Sequence, residues 1–139
     1  MIVGKDIKAE QISQFYYTYS NINYNAEYQR YRFYIEEGKN KFFHETRQNP
    51  GGYGFLTEDN TTRIGDYEIN KQEWDSFIEL ISEGRVEKRT EKTESGDSGP
   101  WMYIYWDKDK GKYQEYYFDT YDKQLKFVEY CESLIQKYD

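Results

Sequence analysis

The stretch WMYIYWDKDKGKYQEYYF, residues 101–118, decides the fold. Two aromatic, β-prone runs flank a short polar segment with one glycine, which is the pattern of a β-hairpin. Alternation along the first run sets Trp101, Tyr103 and Tyr105 against Met102, Ile104 and Trp106. The second set is the more apolar and is expected to face packed helices, leaving the first set on an exposed face. Helix-like periodicity on both sides of the hairpin makes it the expected centre of the sheet.

Working outward, Asn70 has the character of a helix N-cap, and Glu73 completes a capping-box pair with it. Trp74, Phe77, Ile78 and Ile81 then fall at i, i+3, i+4 and i+7 and line one helical face. Gly84 is the expected C′ terminator. On the other side a second helix is expected from Thr120 toward Lys137. Its buried stripe is read as Tyr121, Leu125, Val128, Cys131 and Ile135, widened by Phe127 and Leu134.

Upstream, residues 12–20 read as a strand with Phe15, Tyr17 and Tyr19 on one face. Residues 21–25 form an asparagine-rich turn. Residues 28–36 make a second strand, with Tyr31, Phe33 and Ile35 opposed to Arg30, Arg32 and Tyr34. A turn at 37–40 returns the chain as a third strand over 41–47. Residues 49–54, dense in Gly, Pro and Asn, read as a flexible loop, and 61–69 as a weaker fourth strand. Residues 85–94 alternate charge with threonine, as an exposed or edge strand does. Residues 1–11 either dock through Ile2, Val3 and Ile7 or fray. The expected order is β-β-β-(β)-α-β-β-β-α. This is an α+β fold with an antiparallel sheet of six to seven strands, two amphipathic helices and a single domain over 1–139.

Composition narrows the function classes. Hydrophobic residues make up 37% of the 139, but 20% are aromatic, with 17 tyrosines, so rings must build much of the core. The net charge of −7, with Lys and Arg interleaved among acids, disfavours direct binding of nucleic acid. No apolar run approaches the ~20 residues that span a bilayer, and the first residues lack a signal-peptide apolar region. No membrane association is expected, and a cytoplasmic location is.

Several motifs reduce to structure. Residues 96–100, GDSGP, resemble the active-serine signature of trypsin-like proteases. They lack its second glycine before the proline, and the likeness covers five residues, so Ser98 with His44 is read as loop and strand rather than as a catalytic pair. In DKDKG, residues 107–111, glycine comes one position early for a calcium loop and lysines sit between the acids, so a hairpin turn is expected. His44, the sole histidine, is expected at the surface or half-buried. Cys131, the sole cysteine, sits on an apolar stripe and is read as a small buried hydrophobe. Adjacent acids such as Glu36 and Glu37, or Glu58 and Asp59, are read as solvated surface. No catalytic residue, metal ligand or cofactor is assigned.

The tyrosine surplus remains as the functional signal. Tyr16, Tyr28, Tyr34, Tyr103, Tyr105 and Tyr116 are candidates for an exposed sheet face, and Tyr and Trp are enriched where proteins bind proteins. The binding set is taken as Tyr103, Tyr105, Tyr116, Tyr34 and Trp101. The expected function is that of a small acidic, non-enzymatic interaction protein, an inhibitor or immunity-like protein of bacterial or phage character. Its partner is a protein, expected to be basic, and homo-oligomers are compatible. The alternative is a module binding a small molecule or carbohydrate through its rings, with an enzyme ranked below both.

Overall fold

In a computed structural model, residues 2–4, 7–87, 100–106 and 112–139 are described. The chain opens with a short antiparallel pair, β1 (Ile2–Val3) and β2 (Ile7–Lys8). It continues through β3 (Ile12–Asn21), β4 (Ala26–Glu36), β5 (Lys39–Asn49) and β6 (Thr61–Glu68). Helix α1 (Lys71–Ile81) precedes β7 (Arg85–Glu87), β8 (Trp101–Trp106) and β9 (Lys112–Tyr117), and α2 (Tyr121–Tyr138) ends the fold. Seven strands form one antiparallel sheet in the order β6-β5-β4-β3-β8-β9-β7.

The α+β class and the element order follow the sequence reading, with corrections of position. Strand β3, not the 101–118 hairpin, is central, with three strands on either side of it. The tip of that hairpin (107–111) lies outside the described residues, as do residues 88–99 and with them the GDSG segment and Ser98. Strands β1 and β2 dock through two of the three expected residues: Val3 and Ile7 are buried in the core while Ile2 is exposed, and the Gly4 N–H donates to the Ser82 carbonyl.

Both helices pack on one face of the sheet, and the reason is the parity of the strands. Odd-numbered residues of β3 and β4 (Phe15, Tyr17, Tyr31, Phe33) point to the helices. Phe77 of α1 stacks on Phe33 with centroids 4.1 Å apart, and Phe127 of α2 lies within 5.3–6.5 Å of Phe15, Tyr17, Phe33 and Tyr31. Each such ring, once buried, stabilises the fold by roughly 1.5–3 kcal/mol. The capping box on α1 is formed: the Glu73 N–H donates to Asn70 Oδ1, and the Asn70 N–H to Glu73 Oε1.

Helix ends and stripes depart from expectation in three places. Ser82 caps α1 in right-handed backbone, so Gly84 is not a left-handed C′ residue. Its missing side chain serves packing instead, since a Cβ there would run into the ring and hydroxyl of Tyr116. In α2 the buried stripe is Phe127, Cys131, Leu134 and Ile135, while Tyr121 and Leu125 are exposed. The loop at 49–54 is tied rather than loose: the Ala26 N–H donates to Gly52 O, Gly54 N–H to Ile22 O and Gly51 N–H to Asn25 Oδ1.

Candidate interaction face

Among the described residues no helix or strand lies over the second face of the sheet. Registers fix what stands there. One row across β8, β3, β4, β5 and β6 reads Tyr103, Tyr16, Arg32, Phe43, Asp66. The row on one side reads Trp101, Thr18, Arg30, Glu45, Ile64, and the row on the other Tyr105, Gln14, Tyr34, Lys41, Glu68. Tyr28 and Arg47 pair beyond them. Opposite residues in an antiparallel pair share a face, so these side chains form one layer.

Arginine organises that layer. The Arg32 guanidinium lies 4.0 Å from the Tyr34 ring centroid and 5.3 Å from Tyr16, and its Nε donates to Gln14 Oε1. Arg30 lies over Phe43 at 4.8 Å and Arg47 over Tyr28 at 5.2 Å. At the other end of the sheet, Arg85 lies over Tyr117 at 4.9 Å. Four of the chain's six arginines therefore stand on this face. Arg30 and Arg47 also donate to Glu45, with Thr61 Oγ1 as a third donor. Burial pushes the Glu45 carboxyl up, but these hydrogen bonds and the two guanidiniums outweigh it and hold the pKa below its usual value.

The structure sorts the candidate residues. Trp101, Tyr103 and Tyr105 stand half-buried on this open face, and Tyr105 meets Tyr16 edge-on at 5.8 Å. Tyr34 belongs to the same face but is only 6% exposed, roofed by Arg32. Its hydroxyl donates to Asp66, 2.8 and 2.7 Å from the two carboxylate oxygens. Burial and that bond both raise the Tyr34 pKa. Tyr116 is a correction. Because Tyr103 faces Glu115 across the hairpin, Tyr116 falls on the helix side. There it is fully buried and donates to the Ile81 carbonyl at 2.7 Å.

Sequence reasoning missed a second aromatic group. Tyr24, Tyr53 and Phe55 are the most exposed rings of the 21–56 region, at 59%, 70% and 76%, and Tyr24 and Tyr53 lie 5.7 Å apart. The carbonyl of the next residue, Leu56, accepts from Arg47 Nη1, which ties this loop to the edge of the open face. The signal was present in NPGGYGF, residues 49–55: rings among loop formers have no strand or helix period to bury them.

The helix side holds the other polar group of interest. His44 is fully buried, not surface or half-buried, because parity places it beside Phe42 under α2. Its ring stacks between Phe42 and Tyr67, and Tyr67 stacks on Tyr138. Gly65 leaves the space: a Cβ there would strike the Tyr67 hydroxyl and His44 Nε2. Tyr67 donates to Asp139 at 2.6 Å, and Arg63 pairs with Glu132 at 3.0 Å. Burial and then the nearby Arg63 charge lower the His44 pKa, so the imidazole is neutral at pH 7. Burial pushes the Cys131 thiol well up, the opposite of what a nucleophilic thiolate needs. A groove of about 550 Å³ between α1 and α2 is lined by Ser76, Glu79, Leu80, Lys126, Glu129 and Tyr130, with one ring among them. Among the described residues no three His, Cys, Asp or Glu side chains gather as metal ligands, and no helix is long and apolar enough to cross a membrane. Compared with known protein families, curated proteins and solved structures, the chain matches none of them.

Proposed function

We propose that this chain is a non-enzymatic interaction protein that takes a protein partner on the open face of its sheet. One observation carries the reading. The uncovered face concentrates Trp101, Tyr103, Tyr105, Tyr16 and Tyr28 with Arg30, Arg32 and Arg47. Trp, Tyr and Arg are the three residue types enriched among binding hot spots. The arginines are held by ring and hydrogen-bond contacts within the face, so docking immobilises few further rotamers.

The chemistry of the partner follows from those side chains rather than from the net charge. A chain of net charge −7 leads to the expectation of a basic partner. The tyrosines, however, stand with arginines, and the acids of that face are engaged within it, Glu45 by Arg30 and Arg47, Asp66 by Tyr34 and Lys41, and Glu68 by Lys39. Asp75, Glu79, Asp122 and Glu129 stand exposed on the two helices. The partner we propose therefore presents carboxylates to the guanidiniums and an apolar surface to the rings. If that partner is an enzyme or toxin, the chain acts as its inhibitor or immunity-like protein.

The test is quantitative binding after affinity capture. Wild-type protein, a Tyr103→Ala/Tyr105→Ala variant, an Arg32→Ala variant and a Lys126→Ala variant of the helix layer are titrated with the captured partner. Truncating a hot-spot residue costs about 2 kcal/mol or more, on the order of thirtyfold in Kd. The open-face variants are expected to lose that much, and Lys126→Ala little. Unchanged affinity in both open-face variants would sink the reading.

A further inference from the structure

The outer edge of β6 is unpaired among the described residues, and the geometry points to a second copy of this chain as the strand that completes it. This inference is independent of the partner-binding reading above. It begins with the phase of the ladder. The Ile69 N–H donates to the Asn40 carbonyl at 2.8 Å, in continuation of the Lys41–Glu68 register. Bonded and non-bonded pairs alternate in an antiparallel ladder, so the backbones of Tyr67 and Gly65 also face β5. Those of Ile64, Asp66 and Glu68 then face outward, with N–H and C=O groups aligned for another strand.

Edges of this length are normally guarded by charge, proline or bulges. Strand β6 has eight residues and no proline, and its bulge lies at the Thr61 end. Its acids are drawn back onto their own sheet. Asp66 is occupied by Tyr34 and Lys41, and Glu68 pairs with Lys39 at 3.6 Å. Among the described residues the opposite edge, β7, spans three residues.

Self-complementarity selects the register. A two-fold axis perpendicular to the sheet keeps like faces together and runs β6 against itself. With the axis at Ile64, the two Ile64 side chains meet, and each Asp66 lies toward the bulge at Thr62 of the other strand. An axis at Asp66 would set carboxylate against carboxylate, and one at Gly65 would set Ile64 against Asp66. Only the first covers the apolar side chain that β6 exposes, since Ile64 is 58% accessible. The assembly joins two seven-stranded sheets edge to edge, and their open faces become one continuous surface.

Sedimentation and cross-linking of the full chain test this. Wild type is expected to sediment as a dimer that dissociates on dilution. Ile64→Lys, which sets two like charges on the axis, is expected to halve the mass with the circular dichroism unchanged. Ile64→Pro, which removes an outward N–H and no ladder bond, is expected to do the same. Bonded pairs have Cα atoms about 5.5 Å apart, within disulfide range, so Ile64→Cys is expected to oxidise to a covalent dimer. Thr62→Cys should not, because four residues of offset separate its copies by on the order of 13 Å. The buried Cys131 thiol does not compete. A monomeric wild type, a dimer indifferent to both Ile64→Lys and Ile64→Pro, or no disulfide through Ile64→Cys would overturn the proposal.

Discussion

Glu73 does the work of several residues. Its carboxylate closes the capping box at the start of α1 and also receives Lys137 Nζ, at 2.9 Å, and the Tyr138 hydroxyl, both from the last turn of α2. Its own carbonyl accepts from Tyr130 at 2.7 Å. Burial pushes the Glu73 carboxyl up, but the bonds from Tyr138, the Asn70 backbone and Lys137 hold it below the usual range. A depressed carboxylate contributes stability that is present above the unfolded pKa and lost as pH falls through the folded one. Glu73→Gln keeps the shape but removes the charge that Lys137 and Tyr138 address. We expect a loss of about 1–2 kcal/mol at neutral pH, shrinking toward zero in acid, measured by urea denaturation at both pH values. An equal loss at both would show that charge is not what holds the two helices together here. The capping half of this role was legible in the sequence, because Asn70 and Glu73 stand three apart. The α2 half was not, since nothing local brings residues 130–138 to residue 73. The same blindness to tertiary phase misplaced Tyr116. One residue of parity separates a hydroxyl buried against Ile81 from a ring in the binding face, and YQEYYF, residues 113–118, has tyrosines at both parities.

At the scale of elements, strands and helix starts were legible because period and punctuation agree. In strand β4 the core residues Tyr31 and Phe33 share one parity, and the turn after it shows why it pairs with β5 in full register. Only two residues, Glu37 and Gly38, connect the strands, with φ of 52° and 75°. Positive φ at both central positions is the type I′ requirement, whose twist matches that of the flanking strands. Glu37 occupies the left-handed region without the local hydrogen bonding that lets Asn or Asp tolerate it. We expect Glu37→Asn to raise the thermal midpoint, by a few tenths to about 1 kcal/mol of stability. Gly38→Ala is expected to lower it by about 1 kcal/mol, although no atom lies near enough to clash, because the strain is in the backbone alone. Calorimetry of the two variants decides this, and a Gly38→Ala protein as stable as wild type would refute it. The register of α2 was harder to read. Its apolar residues fit two stripes one position apart, and the sheet chose the one through Phe127, which can reach Phe15, Tyr17 and Phe33, leaving Tyr121 and Leu125 to solvent.

For the molecule as a whole, the tyrosines divide by the layer in which they stand. The sequence showed that there were too many to bury; it did not show that one face would combine them with arginine, because that pairing runs across strands far apart in the chain. On the helix side, hydroxyls have been carried into an apolar layer, which disfavours their charged form. Burial raises Tyr17 and Tyr130 to about 12, and it raises Tyr31 and Tyr116 as well. The hydrogen bond to Glu73, more than burial, raises Tyr138 to about 12. In the unfolded chain these phenols ionise near 10. A group whose folded pKa lies above its unfolded one contributes stability that is complete below the unfolded value and is lost as pH climbs through the folded one. Several such groups act together here, so the fold is expected to weaken steeply from pH 10 upward and to give way before Tyr31 and Tyr116 can ionise in place. A titration followed by tyrosinate absorbance and circular dichroism together should therefore show two steps. The first is gradual and leaves the secondary structure intact, as phenols outside the core lose their protons to solvent. The second is cooperative and coincides with loss of the sheet. One smooth absorbance step for all 17 tyrosines with the dichroism unchanged would mean that these hydroxyls are not shut away from water, and the core described around Phe15, Phe33 and Phe127 would then be wrong.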